Sequence, residues 1–122
     1  MALHLRYRLW IAEINSDITI LRIFEDYIES LSAKEAEPEV KSGIDHFHDQ
    51  FKKFRAEIDD LRHELHLLKM KLGAYARNKV SLDYKAYKSD KHITLRKNYQ
   101  AFRSHFEKLK KEFSRFEEKW LG

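Results

Sequence analysis

From Ile44 to Tyr75 the large apolar residues recur at alternating steps of three and four: Ile44, Phe47, Phe51, Phe54, Ile58, Leu61, Leu65, Leu68, Leu72 and Tyr75. Steps of that size return each side chain to one face of a helix, whereas a strand would need alternation with period two. The pattern predicts a long central helix whose seam is buried against neighbours in the manner of a coiled coil.

Two further seams flank it. Tyr7, Trp10, Ile14, Leu21, Phe24, Ile28 and Leu31 repeat with heptad spacing, and Ile11, Ile18 and Tyr27 widen the stripe, which implies burial against two partners. Leu95, Tyr99, Phe102, Phe106, Leu109, Phe113, Phe116 and Trp120 form the third. Three glycines and one proline in 122 residues are too few to punctuate a multistranded sheet. The expected fold is therefore all-α, an antiparallel up-down-up three-helix bundle with long coiled-coil-like helices. It forms a single domain over residues 1–122, with helix 1 about 3–33, helix 2 about 38–78 and helix 3 about 82–121.

The joints are short. Ala33 to Glu37 precede Pro38, which suits a first helical turn because its missing N–H would have no partner there. Ser42 and Asp45 also form a capping box, so a start after Gly43 competes with a start at Pro38. The second turn is placed at 78–81, with Asn78 as terminator and Ser81 as N-cap, while Ser89 and Asp90 offer a competing position at 88–91.

The chain contains no cysteine, which excludes thiol catalysis and thiolate metal sites and fits a reducing compartment. No stretch approaches the ~18 uncharged apolar residues of a membrane span, and the N-terminal residues lack the pattern of a signal peptide. A cytoplasmic location without membrane contact is expected. Phosphate-binding glycine loops and nucleophile elbows are absent, so an enzyme is not expected and no cofactor is implied.

Function is then sought on surfaces. With the hairpins aligned at their joints, the start of helix 1 falls beside about Leu67, so helix 2 and helix 3 outrun it as a two-helix tip from about Leu68. On the outer face of helix 2, Asp45, Asp49, Lys52 and Asp59 give way to His63, Leu67, Met70 and Ala74, a second apolar strip at helical spacing. That strip is the candidate contact for a homo-oligomer or protein partner, in competition with coverage by the chain's own N-terminus. Charge is uneven as well: residues 69–97 carry nine basic and two acidic side chains, and residues 1–68 carry nine basic and fourteen acidic. Lys79, Lys85, Lys88 and Lys91 with Tyr84 and Tyr87 form an alternative polyanion site, in which lysines pair with phosphates and tyrosines stack on bases of a nucleic acid. A solvated helical hairpin with tyrosines in its narrow core explains the same residues more simply.

Two polar groupings complete the reading. His63 and His66 are three apart on one helix, within reach of a shared metal ion, yet the seam turns them outward, and a bundle metal site needs inward ligands. Asp17 occupies a seam position, and the same alignment places it near Arg55 on helix 2 and His105 on helix 3, as a buried polar cluster that specifies register.

Overall fold

Three helices, α1 (Leu3–Ser32), α2 (Pro38–Asn78) and α3 (Ser81–Trp120), make the chain all-helical, with no strand among the described residues. The computed structural model describes the backbone of residues 3–78 and 81–121 and the side chains of residues 5–71 and 93–121. α1 packs against α2 and α2 against α3.

The first joint has clear chemistry. Ala33 N–H donates to Glu29 O at 3.2 Å and Lys34 N–H to Leu31 O at 3.1 Å, a tightened last turn that closes α1. Ser30 and Ser32 hydroxyls bond back to the carbonyls of Tyr27 and Glu29 in the same turn. Glu37 O accepts the first α-helical bond from Lys41 N–H at 2.9 Å, which puts Pro38 at the first helical position. Acidic Glu39 lies in that turn, where the helix dipole favours negative charge.

Ser42 and Gly43 thus lie inside α2 and do not start it. Gly43 has a packing role. A Cβ there would stand 2.6 Å from Phe116 Cζ, so the missing side chain is the space the Phe116 ring occupies.

The seams supply the core. Ile14, Leu21 and Ile28 of α1, Phe51, Ile58 and Leu65 of α2, and Phe102, Phe106 and Phe113 of α3 are almost wholly buried. Burial of each such side chain is worth about 1.5–3 kcal/mol. Phe24 stacks on Phe51 at 5.0 Å between ring centroids, and Phe113 meets Phe24, Tyr27, Phe47 and Phe51 edge-on at 5.6, 6.1, 5.2 and 5.4 Å. Phe113 therefore touches both other helices. Trp120, the last member of the third seam, stays 41% exposed, with Lys119 Nζ 5.0 Å over its ring.

Cross-helix pairs define the levels. Asn15 faces Arg62 and Glu29 faces His48, so numbers rise along α1 as they fall along α2. These pairs shift α1 about two turns further toward the end of α2 than aligning the joint residues implies. The joint explains the shift: residues 35–37 have no helical conformation, and non-helical chain advances up to ~3.3 Å per residue against ~1.5 Å in a helix, so α2 begins beyond the last turn of α1. Leu68 is accordingly buried, although the sequence alignment placed it at the foot of an uncovered tip.

Gly43→Ala tests the aromatic packing. The alanine gains about 1 kcal/mol of helix propensity but forces Phe116 out of its place, a type of overpacking that costs about 1–3 kcal/mol. Urea denaturation is expected to show net destabilisation that Phe116→Leu in the same chain relieves; a Gly43→Ala protein more stable than the parent removes the packing role.

Candidate functional site

The structure does not bring Asp17, Arg55 and His105 together. The register shift sets Asp17 level with about Asp60 on α2, a full turn past Arg55. Arg55 instead donates to Glu25 Oε2 at 2.8 Å, a close pair between α1 and α2. That bond, more than any other contact of Arg55, holds its guanidinium above the ordinary pKa. His105 lies exposed on the other flank of α3, beside Glu57, Asp60 and Glu64 of α2.

Asp17 is 6% exposed and is the buried charged residue among the described residues. Its partner is Arg103, whose Nε lies 3.9 Å from Asp17 Oδ2, and that oxygen accepts no hydrogen bond. One turn earlier on α1, Glu13 Oε2 accepts from the Tyr99 hydroxyl at 3.1 Å and from Arg103 Nη1 at 3.4 Å. The result is a polar seam between α1 and α3 built from two i,i+4 pairs, Glu13 with Asp17 and Tyr99 with Arg103. Loss of hydration raises the Asp17 pKa, opposed by Arg103 and Lys110 and reinforced by Glu13 and Glu107. Burial raises that of Tyr99, and the Glu13 carboxylate adds to it.

A cleft opens along this seam. No Cα of α1 comes within 8 Å of a Cα of α3 among the described residues, so side chains alone span the interval. Near the start of α1 they leave a space of about 450 Å³. Trp10, Tyr99, Glu13 and the guanidinium-bearing Arg6, Arg96 and Arg103 line it. Its signal in the sequence was the repeated spacing of charged and aromatic residues at the edges of the first and third seams, which core-directed reading passes over.

On the outer face of α2, His63 is exposed, Leu67 is 43% exposed and Met70 69% exposed. The side chain of Ala74 lies outside the described residues. Leu67 also borders a shallow groove between α2 and α3 formed with Leu68, Thr94 and Leu95. The side chains of Tyr84, Lys85, Tyr87, Lys88 and Lys91, and residue Lys79 altogether, lie outside the description, while Lys71, Arg96 and Lys97 at its border are exposed. His66 is exposed beside His63, and no cluster of three histidine, aspartate or glutamate side chains suited to a metal ion occurs among the described residues. None of the helices, over those residues, is long and apolar enough to cross a membrane.

No protein-family model matches the sequence, and no curated protein or solved structure is significantly similar to it.

Asp17 yields a pH-dependent prediction. Its native pKa is raised above the ordinary 3.8, so the folded state holds the proton more tightly than the unfolded chain. The resulting penalty is absent below 3.8, where both states are protonated, and is complete once pH exceeds the native value. Asp17→Asn should therefore gain stability over the parent as pH rises from about 3 to 7, read as the difference in Tm. A difference that shrinks over that range contradicts the assignment.

Proposed function

We propose that the protein is a non-enzymatic helical interaction protein that works by pairing with a second copy of itself through the outer face of α2, in the cytoplasm. In this reading the three helices run up, down and up as one bundle. The observation that carries the proposal is the exposure of Leu67 and Met70 one turn apart on the outer face of α2, where Leu67 also borders the groove toward α3. Large apolar side chains in sequence register along a helix back are a surface that association would dry.

Charge supports an antiparallel pairing about a twofold axis between Leu67 and Met70. Each Leu67 then meets Met70 of the second copy, and His63 comes level with Ala74. Counting outward along α2, Asp60 comes level with Arg77 and Asp59 with Asn78. The acidic stretch before residue 69 of one copy thus faces the basic stretch after it in the other, the arrangement that electrostatic complementarity favours. Multi-angle light scattering over a concentration series should give a dimer mass. Leu67→Glu with Met70→Lys should return the monomer without loss of helical circular dichroism, and Asp59→Lys with Asp60→Lys should weaken association about tenfold. A monomer at every concentration overturns the reading.

The alternative function is polyanion binding by the segment 69–97, which its nine basic against two acidic residues favour. Phosphate contacts release counterions, so binding of a labelled single strand should fall steeply with salt and fall further when Lys85, Lys88 and Lys91 become glutamate. Binding indifferent to both changes disposes of it.

A further inference from the structure

We infer that the cleft between α1 and α3 is a binding site for a small anion carried on a flat aromatic body, a carboxylate or a phosphate whose ring enters the cleft while its charge pairs with the arginines. The space, about 450 Å³, falls in the range of small-ligand sites. Trp10, half-buried on the α1 wall, stands edge-on to the buried Tyr99 ring, with centroids 6.5 Å apart and planes at 81°, and supplies the aromatic surface that a ligand ring would meet.

Charge selects the headgroup. Three guanidiniums line the cleft against one carboxylate, Glu13, and that carboxylate already accepts from Tyr99 and Arg103. Arg103 faces buried Asp17 as well and lies 5.8 Å from the centre of the Tyr99 ring, so it is held in place by groups of both helices. Arg6 and Arg96, one on each wall, form no ion pair among the described residues. Guanidinium matches the planar, two-oxygen edge of carboxylate and phosphate, and an anion between the walls would satisfy both arginines at once. The site lies on the flank of α1 and α3, away from the outer face of α2, so it stands independently of self-association.

The Trp120→Phe protein leaves Trp10 as its sole tryptophan and therefore as a reporter inside the cleft. Phenyl phosphate and benzoate should each change its fluorescence saturably, with Kd in the range of about 0.1–10 mM, and the tighter of the two identifies the headgroup. Benzyl alcohol, a ring without charge, and inorganic phosphate, a charge without a ring, should bind at least about tenfold more weakly. Arg6→Gln with Arg96→Gln should weaken the aromatic anions about fivefold or more at unchanged helical content. Benzyl alcohol binding as well as benzoate, no saturable response to either anion, or indifference to the arginine changes in a folded protein overturns the inference.

Discussion

Aromatic rings set the distance between α1 and α3, and much of the remaining structure follows from that distance. Helices joined by small side chains bring their backbones close; here Phe24, Tyr27 and Phe113 at one end and Trp10 and Tyr99 toward the other hold α1 and α3 apart. Around Phe113 the rings fill the interval in edge-to-face contact, the geometry that aromatic quadrupoles prefer. Toward the start of α1 the same spacing is lined partly by charged side chains, which retain water around their heads, and a cleft remains. Gly43 belongs to the same scheme, since a backbone without a side chain is what admits the Phe116 ring against α2.

The second governing feature is the level at which the helices meet. Residues 35–37 advance without helical coiling before α2 begins, and that displacement decides every polar partnership between the helices. It gives Arg55 to Glu25 and leaves Asp17 to Arg103. The two carboxylates are unequal. Each keeps one buried oxygen without a hydrogen bond, yet Glu25 accepts from a guanidinium at 2.8 Å through its other oxygen, whereas Asp17 meets its guanidinium only at 3.9 Å. Burying a charge without full compensation costs stability, so Asp17 is retained at the expense of a tighter fold, consistent with a role in fixing which levels of α1 and α3 meet.

The core leaves two surfaces of distinct chemistry unused. The outer face of α2 offers exposed Leu67 and Met70 at the boundary between an acidic and a basic stretch of the chain, and the flank between α1 and α3 offers arginines over aromatic rings. One is apolar on a helix back and the other cationic over aromatic rings, and they lie on different helices' flanks.

The helical class, the three segments and nearly all of the buried residues were legible in the periodicity of the sequence, because a heptad seam is a property of one helix and is written in consecutive residues. The exposure of Leu67 and Met70 followed in the same way from their angle around α2. The partners of Asp17 and Arg55 were not legible, because a partner on another helix depends on axial level, and a few non-helical joint residues move that level by whole turns. The role of Gly43 and the cleft lined by Arg6, Arg96 and Arg103 were hidden for the same reason: each arises from residues far apart in the chain that meet only when three helices are packed at a particular level and spacing.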